Sequence, residues 1–159
     1  MKNRAFSLIE VIVAVAIIGI LSGIVGLKLR SYIANSKDTR AVASLNSFRL
    51  AAQTYQIDND KPLIEDSSKY DDDTEIKKAL EKLEIYLDKN AKEIISTNRI
   101  TIGASREKKD SDLIYGGKVK FTFKDPDNGA NSDGYYMWLV PVNPTKNFDS
   151  KGKEWTKYW

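Results

Sequence analysis

From Phe6 to Leu27 the chain runs through 22 residues with one charge, Glu10. As a helix this stretch spans about 33 Å, enough to cross the hydrocarbon core of a bilayer. A secretory signal peptide is the first competitor, but its apolar region is shorter and ends at a small-residue cleavage site. The AVA at 14–16 fits such a site locally, yet IIGILSGIVGL continues apolar past it. Cleavage there is not expected. Flanking charge does not orient the span. Lys2 and Arg4 stand on one side, and Lys28, Arg30, Lys37 and Arg40 on the other.

Glu10 is the informative residue. A carboxylate well inside an apolar span costs about 2.5–3.5 kcal/mol on insertion-based scales, and less near the edge. Two readings compete. In one, Glu10 is an acid near a helix start, favoured by the macrodipole and reaching headgroup water. In the other, it waits for a cation that arrives only on assembly.

The stretch RAFSLIEVIVAVAIIGIL resembles the N-terminus of type IV pilins and of the pseudopilins of type II secretion. That pattern is a short basic leader, a small residue, Phe-[Thr/Ser]-Leu-Ile-Glu and an apolar run. Ala5, Phe6, Ser7, Leu8, Ile9 and Glu10 fill its places. The resemblance implies cleavage between Ala5 and Phe6 by a prepilin peptidase, N-methylation of Phe6, and an N-terminus-in topology. It also implies that the new Phe6 amine pairs with Glu10 of a neighbouring subunit. Such an amine, with a pKa near 7.7–8.0, is mostly cationic at neutral pH. Ala5 stands where Gly is usual, and Leu27 where many pilins carry a Pro at which the helix loosens. Gly19, Gly23 and Gly26 are the alternative source of helix flexibility, each about 1 kcal/mol worse than Ala in a helix. Gly19 and Gly23 also match the small-xxx-small pattern for close helix approach.

Beyond Leu27, Ile33, Ala41, Leu45, Phe48, Ala52 and Tyr55 recur mostly at spacings of three and four, a helical stripe. The first Pro is Pro62, and NDKP at 59–62 is a stop signal. One helix is therefore expected from about residue 6 to 57, apolar all round at first and amphipathic later. Residues 58–75 are acidic and read as an exposed loop. In that loop Asp71-Asp72-Asp73 suits a solvated helix entry better than a calcium site. A helix follows through Ile76, Leu80, Leu83 and Leu87. Strand-like runs come next at 99–103, 112–116, 118–123 and 135–142. Alternation places Val119, Phe121 and Phe123 on one face. The turn-rich DPDNGANSDG joins the last two runs as a hairpin. The expected fold is α+β and pilin-like: a long N-terminal helix on a small antiparallel sheet.

The chain has no Cys and no His. Thiol chemistry, disulfides, His-ligated metals and the Ser-His-Asp and Cys-His catalytic arrangements are excluded. Nothing in the sequence brings two carboxylates together, so an anchored enzyme is not the reading. The net charge of +3 is uneven. Residues 58–93 hold twelve Asp/Glu against seven Lys/Arg, or −5, while the first 57 hold two against seven, or +5. The last 66 hold eight against eleven, or +3. A basic balance that rests largely on the leader is poor ground for a nucleic-acid partner. The tail, with Phe148, Trp155, Tyr158 and Trp159 among lysines, reads as core-closing aromatics rather than a strand-binding surface. No cofactor is expected. The competing metal reading is an irregular calcium site from Asp125, Asp127, Asn131 and Asp133, since some pseudopilins bind calcium near C-terminal loops. The spacing is not that of an EF-hand, and a polar hairpin loop is preferred.

The expected organisation is a leader at 1–5, a membrane and filament-core half-helix at 6–27, and a periplasmic or extracellular head at 28–159. The resemblance implies a single-pass cytoplasmic-membrane protein that becomes part of a cell-surface or periplasm-spanning filament. Its implied partners are the prepilin peptidase, a membrane assembly platform and other pilins, in a homo- or hetero-polymer. Type II secretion and competence-type DNA uptake are alternative settings for such a subunit.

Overall fold

The computed structural model describes residues 7–127 and 132–158, without the side chain of Leu27. The described chain opens with α1 (Leu8–Asn59), 52 residues long. Nothing in the sequence interrupts it. There is no Pro before Pro62, and the three glycines fall in the first half. At its far end Asp60 adopts a left-handed conformation, and its amide donates to the Gln56 carbonyl at 2.9 Å. The stop expected at NDKP therefore falls two residues past the expected end.

The chain divides into two compact units, residues 1–33 and 34–159. In the first, α1 stands alone. An 18-residue window of it has a mean hydropathy of 2.8 and no part buried within the chain. This is the one candidate membrane span among the described residues.

The second unit is built on the amphipathic stretch of α1. Ala34, Ala41, Leu45, Phe48, Ala51 and Ala52 are buried there, and Tyr55 is half-buried against the same core. Ile33 lies outside the buried stripe, half exposed, and Ala34 takes the inward place. Phe48 meets Phe121 with ring centroids 4.9 Å apart. A fully buried side chain of this size contributes about 1.5–3 kcal/mol.

Phe121 belongs to a three-stranded antiparallel sheet of β1 (Ile100–Thr101), β4 (Lys118–Thr122) and β5 (Trp138–Pro141), in the order β1-β4-β5. Its register sets Ile100 opposite Val119 and Phe121 opposite Leu139. Val119, Phe121 and Phe123 are all buried, as alternation predicts. The expected hairpin is β4 and β5. A second ladder pairs β2 (Ala104–Ser105) with β3 (Ile114–Tyr115).

The helix expected after the acidic stretch is α2 (Asp73–Lys82). Asp72 caps it, accepting from the amides of Thr74 and Glu75 at 2.9 Å each. The helix entry expected at 71–73 is thus observed. The helix is shorter than the leucine spacing suggests. It ends at Lys82, a 3-10 turn covers Glu84–Tyr86, and Leu87 packs from outside it. A further short helix, α3 (Lys92–Thr97), was not legible as one.

The acidic stretch 58–75 is not simply an exposed loop. Leu63, Ile64 and Tyr70 are buried in the core. The amides of Leu63 and Ile64 donate to the Gly134 carbonyl at 3.0 and 3.4 Å. A side chain at residue 134 would meet the Ile64 carbonyl at 2.4 Å, so only Gly lets these segments meet.

Two buried polar side chains of α1 tie distant loops to it. Asp38 accepts from the amides of Gly103 at 2.7 Å and Ser150 at 3.0 Å. Gly103 sits so close to α1 that a Cβ would lie 2.1 Å from the Ala34 carbonyl oxygen. Arg49 donates through Nε to the Met137 carbonyl and through a terminal nitrogen to that of Tyr158, both at 2.9 Å. Its guanidinium also covers the Tyr136 ring at 4.1 Å. Burial lowers its pKa from the ordinary arginine value.

Candidate functional site

The residues around the expected cleavage point lead into the first turn of α1. Ala5 and Phe6 lie outside the described residues. Ser7 and Glu10 form a reciprocal cap. The Ser7 amide donates to Glu10 Oε2 at 2.7 Å, and the Glu10 amide donates to Ser7 Oγ at 3.3 Å. This is the S-x-x-E capping box, which satisfies two of the donors a helix start leaves unpaired. The signal was present in FSLIE and could have been read from it. Among the described residues Glu10 Oε1 accepts no hydrogen bond, and Glu10 is exposed. A carboxylate can accept at both oxygens. Its own helix therefore orients this one and leaves the other oxygen open to a donor from elsewhere.

Gly19, Gly23 and Gly26 sit inside the unbroken α1, and a Cβ added at any of them would meet nothing within 4 Å. Nothing among the described residues requires small residues at these places. The helix is continuous through Leu27 as well.

Three of the four residues of the calcium reading make bonds within the chain. Asp125 is buried, and its Oδ1 accepts from the Asp127 amide at 2.8 Å. Asp127 pairs with Lys157 at 2.5 Å. Asp133 accepts from the amides of Tyr135 and Tyr136 at 2.9 and 2.8 Å. Asn131 lies outside the described residues. Among the described residues no group of three or more acidic side chains is placed to share a metal ion. These are the roles a polar hairpin loop assigns to its acids.

In the tail, Trp155 is fully buried and Tyr158 packs against it, ring centroids 5.7 Å apart. The Tyr158 hydroxyl donates to Asp149, and burial followed by that bond raises its pKa well above the ordinary tyrosine value. Lys153 stands over the Tyr158 ring at 4.1 Å. Trp155 and Tyr158 thus belong to the core, while Phe148 is half-buried outside it. Trp159 lies outside the described residues.

Residues 1–26 match the family described as the prokaryotic N-terminal methylation motif. No curated protein and no solved structure matches the chain. The match covers the leader, the FSLIE sequence and the apolar part of α1, the segment where the capping box and the candidate span are found. Proteins with this N-terminus are structural subunits rather than enzymes, and a prepilin peptidase processes them. At the head of its long apolar helix, over residues 1–26, the chain carries the N-terminal methylation motif of pilins and pseudopilins.

Proposed function

We propose that the chain is the building block of a type IV pilus-like filament. It enters the cytoplasmic membrane as a prepilin through residues 6–27, is cleaved between Ala5 and Phe6, and is N-methylated at Phe6. It then polymerises through its N-terminal helix, with the head of residues 28–159 outside the membrane. The observation that carries this reading is the methylation motif of residues 1–26 joined to an apolar helix that its own chain leaves uncovered. Lipid covers such a helix before assembly, and neighbouring helices cover it afterwards.

Cleavage places a new amine four residues before Glu10. The pairing of that amine with a neighbour's Glu10 sets the register of each added subunit. The open Oε1 of a carboxylate already oriented by Ser7 supports this role. Pairing relieves the penalty of an uncompensated carboxylate in a low-dielectric helix core.

Intact-mass measurement of membrane and filament fractions tests the processing. The expected mature species begins at Phe6 and carries one added methyl group. A mature species that keeps residues 1–5 in cells with an active prepilin peptidase would overturn the reading.

A further inference from the structure

An open groove of about 950 Å³ runs along α1 in the second unit. Its floor is made by small residues of the helix, Ala43, Ser44 and Ser47, with Leu50 beyond them. Its opposite wall comes from Tyr86–Ile94 and from β1. Leu50 is 65% exposed, although Arg49 and Ala51 on either side of it are buried. At the end nearer residue 34 the groove is lined by Lys37 and Arg40. Both are exposed, and neither makes an ion pair among the described residues.

The other end of the same unit has the complementary character. Ile57 and Ile85 are each 82% exposed. Their neighbours in sequence are in contact: the Tyr86 hydroxyl donates to Asp58 at 2.8 Å, and its ring meets Tyr55 at 6.4 Å. Exposed acids surround them in sequence, Asp58 and Asp60 on one side and Glu81 and Glu84 on the other. The tip is apolar with acids beside it, of which Glu84 is paired with Lys92, and the groove has Lys37 and Arg40 at its mouth with Asp88, Glu93 and Arg99 along its opposite wall.

We propose that the groove receives the Ile57–Ile85 tip of a second copy of this chain, so that heads stack head to tail along α1. The inference rests on the polymer reading above and names the surface through which heads meet. Groove and tip are different surfaces of one head, so their pairing is heterologous and leaves a free groove and a free tip at every stage. Contacts of that kind build open helical assemblies rather than closed dimers. The two isoleucines enter beside Leu50 over the small floor. Asp60 and Glu81 meet Lys37 and Arg40, and the match of charge sets the direction of stacking.

Cross-linking in intact filaments tests this, in a chain with no cysteine of its own. Ser47→Cys and Ile85→Cys are placed together in the full-length protein, and sheared filaments are oxidised. The expected product is a ladder of dimers, trimers and longer species, with monomer alone from each single variant. Filaments that give no ladder overturn the proposal while leaving the polymer reading intact. Dimers from a single-cysteine variant also overturn it, because they report a face-to-face contact. A processed wild-type chain that forms no filament overturns the polymer reading itself. A second arm uses charge. Lys37→Glu with Arg40→Glu should lower filament yield by about five-fold or more, the scale of an exposed ion-pair contact. Adding Asp60→Lys and Glu81→Lys should restore it. Unchanged yield in the reversed variant, or no recovery in the fourfold variant, counts against the groove.

Discussion

Glu10 is held by its own helix before any neighbour arrives. Its cap and its proposed pairing with a neighbouring subunit use different oxygens and would respond differently to substitution. Glu10→Gln keeps the capping box, since Gln serves that position as Glu does. It also removes a charge from an apolar span, so insertion should be intact or better. Cleavage should survive as well, because its proposed site lies between Ala5 and Phe6. Incorporation into filaments should fail, since breaking one side of a buried pair costs about 3–5 kcal/mol. An acid that served only the helix dipole would contribute a few tenths of a kcal/mol, and filaments would form normally. Counting sheared filaments from cells whose only copy is Glu10→Gln, after mass confirms processing, separates the two. At this scale legibility depends on sequence distance. Ser7 and Glu10 are three residues apart and are written in the motif. Asp38 and Arg49 are not legible in the same way, because their partners lie 65 to 112 residues away. An aspartate and an arginine on a helix read as solvent-facing until the loops that bury them are in place.

Elements were legible where one period persisted. The long run without Pro foretold α1, and the alternation of KVKFTF foretold β4 and its inner face. The segment 84–97 was not legible, because it changes conformation every few residues, from 3-10 turns to the six-residue α3. The burial of Leu63, Ile64 and Tyr70 was masked by the acids around them. One junction between elements has a consequence in pH. Asp73, in the first turn of α2, receives two hydrogen bonds from Arg99, at 3.0 and 3.1 Å. The Arg99 hydrogen bond is the main cause that holds its carboxyl below the ordinary value, helped by Asn98 and by the charges of Arg99 and Lys120. The folded state thus binds a proton at Asp73 less readily than the unfolded chain does. The stabilisation is fully present above the unfolded value of about 3.9 and is lost as pH falls through the lower folded value. Asp73→Asn should lower the melting temperature of the protein at neutral pH. The gap from wild type should close as the pH is taken well below 4, by about one charge-assisted hydrogen bond's worth of stability. A gap that stays constant across that range would mean that the carboxylate charge contributes nothing to the junction.

At the scale of the whole molecule, the uneven charge becomes a property of the assembly. After removal of the leader, residues 6–57 carry five Lys/Arg against two Asp/Glu, or +3, while residues 58–93 carry −5. The ion pairs made by Asp73, Glu75 and Glu84 are to their own segment or to Arg99 and Lys120. In the proposed polymer, the basic stretch of one copy is expected to come beside the acidic stretch of another. Exposed pairs contribute about 0–1 kcal/mol each, and salt shortens their reach from about 10 Å at 0.1 M to about 3 Å at 1 M. The apolar helices, which their own chains leave bare, dominate the association. Raising sodium chloride across that range should therefore reduce the amount of sheared filament by about two- to five-fold without abolishing it. The measurement is pelletable filament at matched protein concentration. Yield that is indifferent to salt would show that the two charged segments do not meet across subunits. Complete dissolution would show that charge, rather than the apolar helix, holds the polymer together. The charge-reversed Lys37→Glu and Arg40→Glu variant should lose most of this salt dependence, because its basic mouth no longer attracts the acidic tip.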